Sequence, residues 1–549
     1  MKRRVFLAAS ALPLGACQEA APRISGGFNG VSSDRGHVLR GGAIPTPGKT
    51  RRARVLVAGG GVAGLAAARA LRLRGIDDVA VLELEDSAGG NSRGGMVNGL
   101  PCPLGAHYLP VPGDSAPHVQ NLLEELGLRR RAAGRWVYDE RHLCHSPQER
   151  LFINGQWREG LLPQEVDAAT LDSYRRFSAL VKQAARDAPY TMPAATGPLA
   201  SAHAALDAIT FEAWLNRQQL SSPALRWYLD YCCRDDYGAG LASVSAWAGI
   251  HYFASRHGFS APGETGKAGE ERDAGVLTWP EGNGWLTRRL AQPLGERLQP
   301  RRVVVRVASG KHGVEVDALD TATGSVERWQ AAHCILAMPL FVAARVVENP
   351  PPALREAAAR LRYAPWLVAN IHIKAALHDR PGAPPSWDNV IYDASPQASG
   401  YGNGNGNDTD GAGLGYVDAG HQNLATVPGA TVLTHYRAFG LAPAARKALL
   451  EQPWSHWRDI LLQEMAAPHP DLREQVSRID ITRYGHAMSS PLPGTRGNGA
   501  LRALQQAQAP AWARLHFAHS DLSGYSVFEE AFTHGHLRGD ALAQALRKA

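Results

Sequence analysis

A turn of closely spaced glycines follows a short apolar run near the start of the chain. Val55–Ala58 precedes Gly59, Gly61 and Gly64, and an Ala/Leu-rich stretch comes next. In a strand–turn–helix unit, the first glycine permits the tight turn, the second lets the backbone approach a pyrophosphate, and the third allows close packing. The N-terminus of the helix adds unpaired N–H groups and a positive dipole end. This spacing predicts a phosphate-binding site.

A carboxylate ends the second apolar run of the same unit. Val79–Leu82 leads into Glu83, which lies 19 residues beyond Gly64. At that distance a carboxylate accepts hydrogen bonds from ribose hydroxyls. Strand, turn, helix, strand and acidic residue in this order predict a dinucleotide-binding unit. Its predicted cofactor contacts are Gly59, Gly61, Val62, Ala63, Gly64, Glu83 and Leu84.

The residues after this carboxylate distinguish between FAD and NAD. Gly89 and Gly90 follow Glu83 at the distance at which the flavin amine oxidase superfamily has a Gly-Gly-Arg segment, so this region resembles that superfamily. Asn91 stands in the place of the arginine, and Arg93 lies two residues further on as a substitute for the phosphate contact. The resemblance implies that the cofactor is FAD and that Gly90, Asn91 and Arg93 contact it.

Further segments resemble the same superfamily in the same order along the chain. Residues 105–108, Gly-Ala-His-Tyr, are similar to its segment beside the flavin, and residues 279–284 are similar to a turn that precedes a helix. Val304 matches the valine whose backbone meets adenine, and residues 335–339 are similar to the strand that follows. The cofactor contacts that this resemblance implies are Gly105, Ala106, His107, Tyr108 and Val304.

The C-terminal region completes the resemblance. Phe517–Asp521 is similar to a strand end whose carboxylate binds the ribityl chain of FAD, and Asp521 takes that position. A long helical pattern follows, and in the superfamily the N-terminus of this helix points at the flavin, where its dipole stabilises the reduced anion. Glu530 and Ala531 are assigned as cofactor contacts at its start. Ala531 and Gly535, four residues apart, put small side chains on one face, where another element must approach closely.

The catalytic assignments also follow from the resemblance. Amine oxidases of the superfamily have an aromatic cage beside the flavin, and Tyr525 matches one of its members. His107, within the flavin-contacting segment, is expected to touch the cofactor or the substrate. The lysine that holds water at the flavin has no counterpart, because its position falls near Ala369 or Asn370. Pro110 stands where polyamine oxidases have His or Glu. No histidine or cysteine is placed for covalent attachment, so we expect non-covalent FAD.

The composition indicates a globular enzyme rather than a disordered, fibrous or nucleic-acid-binding chain. The 549 residues are 44% hydrophobic and 20% charged, which is enough to bury a large core. Lysine and arginine number 58 against 51 acidic residues, a net charge of +7, and the basic clusters are scattered. A nucleic-acid-binding surface needs denser positive charge. His519, His534 and His536 lack the spacing of a zinc site, so no metal is expected.

The order of the segments predicts two interleaved domains. We expect an α/β, Rossmann-like FAD-binding domain from residues 50–112, 270–345 and 495–549. Residues 113–269 and 346–494 are predicted to form a mixed α+β substrate domain. Ligand sites favour domain interfaces, so the cleft for a small-molecule substrate is expected where this domain faces the flavin.

The first 17 residues have the form of a bacterial export signal. Basic residues 2–4 precede an apolar run, Val5–Ala16, that is too short to span a membrane. Residues 3–7 resemble a twin-arginine signal, and the four residues that end at Cys17 resemble a lipobox. The resemblance implies a periplasm-facing, lipid-anchored protein of the cell envelope, with residues 18–49 as a tether. An ordinary secretory signal is the alternative.

The leading hypothesis is an FAD-dependent oxidoreductase on the periplasmic side. A hydride would pass from a substrate carbon, that of an amine, to flavin N5, with oxygen or a respiratory carrier as the electron acceptor. A desaturase or isomerase with a lipid-like substrate is the first alternative, favoured by the missing lysine and the lipid anchor. A non-catalytic flavoprotein that assists assembly is the second. An NAD-dependent dehydrogenase would require turnover with nicotinamide and without bound flavin.

Overall fold

The computed structural model describes residues 24–41, 44–264, 275–392, 411–423, 429–506 and 514–548. The predicted export signal with Cys17 lies outside the described residues, as do residues 18–23 of the predicted tether. Of the helices in the described ranges, none combines the length and the apolar character that a membrane span requires.

The strands of the described ranges build two large sheets and several smaller ones. In chain order they are β1 (Ser25–Asn29), β2 (Lys49–Arg52), β3 (Val55–Ala58), β4 (Val79–Leu82), β5 (Gly94–Val97), β6 (Leu100–Pro103), β7 (Tyr108–Pro110), β8 (Arg129–Ala132), β9 (Arg135–Tyr138), β10 (Glu149–Ile153), β11 (Gln156–Glu159), β12 (Val276–Thr278), β13 (Leu298–Gln299), β14 (Arg302–Ser309), β15 (Val314–Asp320), β16 (Val326–Ala331), β17 (His333–Leu336), β18 (Tyr363–Ile373), β19 (Asp388–Ile391), β20 (Ala412–Asp418), β21 (Thr431–Ala438), β22 (Val476–Ser489) and β23 (Leu515–Phe517).

The helices alternate with these strands along the chain. In chain order they are α1 (Ser33–His37), α2 (Val62–Leu73), α3 (Pro117–Glu125), α4 (Ala168–Asp187), α5 (Ser201–Asp207), α6 (Phe211–Arg217), α7 (Pro223–Tyr237), α8 (Ala246–Ala254), α9 (Gly284–Ala291), α10 (Leu340–Val346), α11 (Pro352–Arg360), α12 (Pro443–Glu451), α13 (Trp454–Glu464), α14 (Leu472–Gln475), α15 (Gly499–Gln506) and α16 (Phe528–Lys548).

A five-stranded parallel sheet carries the glycine turn. Its order is β13-β4-β3-β17-β23, and β3 and β4 are buried along their whole length, as in parallel sheets that are covered on both faces. Val55 and Val57 face α2 and α16, whereas Leu56 and Ala58 face the four-stranded mixed sheet that contains β14 and β15. The α/β, Rossmann-like fold that the sequence predicts is confirmed.

The eight-stranded mixed sheet is the core of the second part of the molecule. Its order is β1-β22-β18-β21-β20-β19-β10-β11. The central strand β18 is buried throughout, with Trp366 and Val368 packed against α4, α6, α7 and α8, and Leu367 and Ala369 packed against α12 and α13. Helices and sheet together make the mixed α+β architecture that is expected of a substrate domain. The predicted domain boundaries stay a prediction.

Part of the predicted tether is folded. Ser25–Asn29 forms β1, which pairs in parallel with β22 at the edge of the eight-stranded sheet. Gly26 permits this approach, because a Cβ there would lie 1.9 Å from the Ile479 carbonyl oxygen. The structure therefore differs from a tether over residues 18–49. A polar, glycine-rich strand has no side-chain periodicity to reveal it, since backbone hydrogen bonds to a sheet edge hold it in place.

Helices α2 and α16 pack closely, because glycines of α16 face the backbone of α2. A Cβ on Gly535 would lie 2.0 Å from the carbonyl oxygen of Ala63, and one on Gly539 would lie 2.4 Å from that of Ala67. The close approach expected on this face of the C-terminal helix is present. Gly539, rather than Ala531, is the second small residue of the contact.

Candidate active site

The glycine turn lies at the carboxyl edge of the parallel sheet, directly after β3. Gly59 has a φ of +114°, and a Cβ there would lie 2.4 Å from the carbonyl oxygen of Ala337 in the neighbouring loop. Glycine alone accommodates both this backbone angle and this contact. Helix α2 begins at Val62, with Gly61 as its N-cap. The N–H groups of its first turn, among them those of Val62 and Ala63, therefore point to this edge.

A second glycine segment, after β4, lies against the first. Gly89 donates its N–H to the Gly60 carbonyl at 2.8 Å. A Cβ on Gly61 would meet only the Cα of Gly90, at 3.8 Å, and a Cβ on Gly90 would meet only the Cα of Gly61, at 3.2 Å. The two backbones form a cradle at the N-terminus of α2, which we call the glycine cradle. It fits a pyrophosphate, because such a group binds backbone N–H groups that side chains would otherwise cover.

Glu83 holds this turn in place. Its Oε2 accepts the N–H of Gly60 at 2.7 Å, and its Oε1 accepts the N–H of Glu85 at 2.8 Å. Burial raises the pKa of the Glu83 carboxyl, while the two N–H donors act in the opposite direction. Both carboxylate oxygens thus accept backbone hydrogen bonds, and the ribose contact of Glu83 stays a prediction.

Arg93 and Asn91 have contacts that the sequence does not suggest. Arg93 is buried, and its guanidinium donates to the Gly30 carbonyl at 2.5 Å and lies 3.8 Å from the Glu85 carboxylate. It holds the N-terminal segment, and its role as a substitute for the phosphate-binding arginine stays a prediction. Asn91 is exposed and donates to the Ala487 carbonyl at 2.6 Å, so it joins the glycine cradle to the substrate domain.

Asp521 follows β23, which is two strands from β3 in the parallel sheet. Its Oδ2 accepts the N–H of Leu340 at 2.8 Å and the hydroxyl of Tyr363 at 2.6 Å, and the residue has no exposed surface. Oδ2 thus fixes the start of α10, and the ribityl contact of Asp521 stays a prediction. The glycine turn and this strand end nevertheless share one edge of the sheet, as a single cofactor site requires.

Tyr525 and Glu530 form a buried pair at the start of α16. The Tyr525 hydroxyl donates to Glu530 Oε1 at 2.5 Å, and the Ser523 hydroxyl donates to Oε2 at 2.6 Å. Glu530 also accepts the backbone N–H groups of Ala194 and Ala195. Neither Tyr525 nor Glu530 has exposed surface, and their predicted cage and cofactor roles stay predictions. In the structure the pair ties α16 to the helical part of the substrate domain.

Three other predicted cofactor contacts, Val304, Ala531 and Leu84, lie at a strand irregularity or are only half-buried. The ladder between β14 and β15 shifts register between Val304 and Arg306, and such an irregularity leaves backbone groups unpaired. Ala531, in the first turn of α16, and Leu84, after β4, are half-buried. Their roles as cofactor contacts stay predictions.

The Gly-Ala-His-Tyr segment lies where the two domains meet. Asn283 holds it from one side, with its N–H donating to the Ala106 carbonyl at 3.0 Å and its side-chain amide donating to the Tyr108 carbonyl at 2.8 Å. From the substrate domain, the Tyr436 hydroxyl donates to the Gly105 carbonyl at 2.9 Å. Both domains therefore fix the same four residues.

The imidazole of His107 is enclosed by aromatic rings. Its centroid lies 4.5 Å from that of Tyr436, 4.9 Å from that of Tyr108 and 5.4 Å from that of Trp387. Burial lowers the pKa of His107 to about 3, so the ring is neutral at physiological pH. Sequence reasoning missed Trp387 and Tyr436, because they lie on the second insertion and belong to no motif.

The substrate side of the site is acidic, and no sequence motif marks it. Glu149, Asp235 and Asp388 lie in three separate segments of the substrate domain, and burial raises the pKa of each. In the described ranges, no group of three or more His, Cys, Asp or Glu residues is arranged to hold a metal ion.

The model of the flavin-containing amine oxidoreductase family matches residues 62–540. The chain belongs to this family. The flavin-containing amine oxidase B of Bos taurus is 26% identical over 309 residues, which are 55% of this chain and 53% of that enzyme. The chain thus spans about half the length of the curated relatives it matches. FAD is the cofactor of this family member, in agreement with the prediction.

Solved structures show the same fold. Putrescine oxidase bound to putrescine superposes with a TM-score of 0.62 at 17% identity, with 91% of this chain and 100% of that chain covered. A fatty acid isomerase from P. acnes gives a TM-score of 0.59 at 14% identity, with 90% and 98% covered. These likenesses show that the chain shares the overall fold of both proteins.

Proposed function

We propose that this flavin-containing amine oxidoreductase oxidises an amine by removing a hydride from the carbon beside the nitrogen. The observation that carries the proposal is the enclosure of His107, where a segment of the nucleotide-binding half meets neutral aromatic rings of the substrate domain. FAD supplies the electron sink when bound, and the protein supplies binding, orientation and exclusion of water.

Different residues of the chain bind the cofactor and the substrate. The glycine cradle at Gly61 and Gly90 would hold the diphosphate against the N-terminus of α2. The His107 enclosure favours the neutral form of an amine, because a buried charge without a partner is costly. Loss of the hydride leaves an iminium, which water hydrolyses to a carbonyl compound and ammonium. Oxygen or a respiratory carrier would take up the electron pair.

The test uses purified, FAD-loaded protein mixed anaerobically with a panel of amines. We expect the flavin absorbance to bleach and a carbonyl product to accumulate in proportion. Acid precipitation should release the flavin into the supernatant, since we propose that it is held without a covalent bond. Flavin that stays oxidised with every amine would contradict amine oxidation and would favour a non-catalytic flavoprotein that assists assembly.

A lipid desaturase or isomerase is the second candidate, and Asn370 favours it. This residue occupies the region of the missing lysine and is fully buried, with its side chain donating to the Pro103 carbonyl at 3.0 Å and accepting from Thr434 at 2.8 Å. The shared fold of a fatty acid isomerase supports the same alternative. Incubation of the FAD-loaded protein with unsaturated fatty acids, followed by analysis of double-bond positions, would distinguish the two.

We propose a lipid-anchored location at the periplasmic side of the cell envelope. The support is the sequence of residues 3–7 and of the segment that ends at Cys17. Cys17→Ser should move the protein from the membrane fraction to the soluble fraction, whereas Cys144→Ser should leave it in place. Replacement of Arg3 and Arg4 by lysine should retain the protein in the cytoplasm. Membrane attachment that survives Cys17→Ser would contradict the anchor.

A further inference from the structure

Two carboxylates of the substrate domain are paired by the sheet. Glu149 and Asp388 are register partners on the adjacent parallel strands β10 and β19, so their side chains lie on the same face. Asp235, near the end of α7, joins them, since its charge and that of Glu149 both act on Asp388. We call Glu149, Asp235 and Asp388 the acidic pocket.

Within the described part of the chain, none of the three carboxylates of the acidic pocket forms an ion pair, although Arg256 is close enough for its charge to lower the pKa of Asp235. The neighbouring Asp236 shows the contrast, because its carboxylate lies 2.7 Å from the Arg256 guanidinium. A charged carboxylate without a partner is unfavourable in a partly buried site, and desolvation therefore raises the pKa of all three and favours their neutral forms. A ligand with a positive charge would stabilise the charged forms instead.

A tyrosine hydroxyl points into the same space. Tyr231 lies one helical turn before Asp235 and is only 8% exposed, yet its hydroxyl has no hydrogen-bond partner in the described ranges. Burial, followed by the charges of Asp388, Asp235 and Glu149, raises the pKa of Tyr231, so the hydroxyl faces all three carboxylates. Trp227 stacks on Tyr231 at 5.9 Å. The wall is therefore aromatic, and aromatic faces attract ammonium groups.

The acidic pocket adjoins the enclosure of His107. Trp387 precedes Asp388 in sequence and lies 5.4 Å from the His107 ring. Tyr436, 4.5 Å from the same ring, has its pKa raised by burial and, among other charges, by those of Asp235 and Asp388. The group of carboxylates therefore lies next to the neutral aromatic enclosure.

We propose that the acidic pocket binds the distal ammonium group of a di- or polyamine whose other end is oxidised at the His107 enclosure. This inference rests on the amine oxidation proposed above. The neutral His107 enclosure binds the amino group that must lose its proton before oxidation. The carboxylates bind the amino group that stays protonated. The same carboxylates repel amino acids and fatty acids, because these substrates carry negative charge.

Calorimetric titration of the FAD-loaded protein with putrescine and with butylamine tests this inference, with the flavin reduced beforehand under anaerobic conditions so that neither amine is oxidised. The two ligands have the same carbon chain and differ in the second ammonium group. We expect putrescine to bind about 10- to 100-fold more tightly than butylamine, which is the lower end of the range for a close charge pair. Asp388→Asn and Glu149→Gln should each weaken putrescine binding by about tenfold and leave butylamine within about twofold. Asp172→Asn, which removes an exposed carboxylate on α4, should change neither.

Equal affinity of the wild-type protein for the two ligands would overturn the inference, and so would variants that weaken both ligands equally. Thermal unfolding and retained flavin absorbance show whether each variant is folded. The wild-type comparison decides the question even where a variant fails to fold. Selective binding of putrescine without any bleaching of the flavin would support the acidic pocket and contradict the proposed amine oxidation, so the two failures are distinguishable.

Discussion

The glycine cradle and the acidic pocket recognise their ligands in different ways. The cradle consists of backbone at Gly59, Gly61 and Gly90, all close to the ends of two neighbouring strands. The acidic pocket consists of side chains from distant segments, brought together by the register of Glu149 and Asp388. A backbone site tolerates no added side chain, whereas a side-chain site is adjustable residue by residue. Substitutions in the glycine cradle should therefore abolish ligand binding, whereas substitutions in the acidic pocket should weaken it by degrees.

Gly59→Ala should have the largest effect. The added Cβ would lie 2.4 Å from the Ala337 carbonyl oxygen, at a φ of +114° that alanine rarely adopts. We expect loss of bound flavin and a decrease of about 2–4 kcal/mol in the free energy of unfolding. The measurements are the ratio of flavin to protein and chemical denaturation. Gly499→Ala is the control, because a Cβ there meets nothing within 4 Å. Full flavin content in Gly59→Ala would mean that the cradle does not bind the cofactor.

The acidic pocket predicts a graded dependence on pH. Burial raises the pKa of Asp235 from 3.8 to about 7, so the folded protein holds a proton that the unfolded chain releases within this window. The free energy of unfolding should therefore rise as the pH falls from about 7 towards 4. Binding of putrescine needs the charged carboxylates, so its KM should fall by up to about tenfold per pH unit as the pH rises through 7.

Asp235→Asn separates this effect from other titrations. The variant should flatten the pH dependence of the ratio between the KM for butylamine and the KM for putrescine, because deprotonation of the reacting amine affects both substrates alike. The titratable and charged groups that face Asp235 are Asp236, Arg256, Asp388, Glu149, Tyr108, Tyr231, Cys232 and Tyr436. An unchanged profile in Asp235→Asn would assign the pH dependence to one of these neighbours.

Tyr525→Phe distinguishes the observed contact from the predicted cage. Removal of the hydroxyl takes one hydrogen bond from the buried Glu530 carboxylate, which should lower the free energy of unfolding by about 1 kcal/mol. Flavin content and kcat should stay within about twofold of wild type. Tyr174→Phe, which removes a hydroxyl bonded to the Pro163 carbonyl, should lose a similar amount of stability. A lower kcat at unchanged stability would restore the cage assignment.

The nucleotide-binding half was predictable because its signals are local. Apolar runs at Val55–Ala58 and Val79–Leu82, with glycines between them, specify buried parallel strands and a tight turn wherever they occur. The order of the family-like segments then places the later strands in the same sheet. The α/β fold and FAD as the cofactor follow from these features alone.

The directions of individual side chains were not predictable in the same way. Asp521 and Tyr525 occur in matching motifs, yet both point inward, because Leu340, Tyr363 and Glu530 bind them from other elements. The acidic pocket depends on the pairing of β10 with β19, and no motif connects the two strands. Pairing of β1 with β22 likewise leaves no pattern in the sequence, since backbone hydrogen bonds and not side-chain contacts hold the two strands together.

Arg35→Ala should have the smallest effect, and it tests how far the N-terminal segment belongs to the nucleotide-binding half. Arg35 lies 2.9 Å from the Asp86 carboxylate and 3.6 Å from that of Glu85, beside the glycine cradle. Because the Asp86 side chain is 70% exposed, solvent screens this pair, and the loss should stay below about 1 kcal/mol. Release of flavin, followed by fluorescence, should become about two- to threefold faster, since this segment also accepts the hydrogen bond of Arg93.

Arg74→Ala is the matched control for this last effect. Arg74 pairs at 2.6 Å with Asp540 on α16, at the opposite end of α2 from the glycine cradle. The Arg74→Ala variant should show a similar decrease in the free energy of unfolding without any change in flavin release, because only the Arg35 contact lies beside the glycine cradle. Equal release rates in the two variants would show that residues 24–41 stabilise the eight-stranded sheet alone. Faster release in Arg35→Ala only would show that the segment also retains the cofactor.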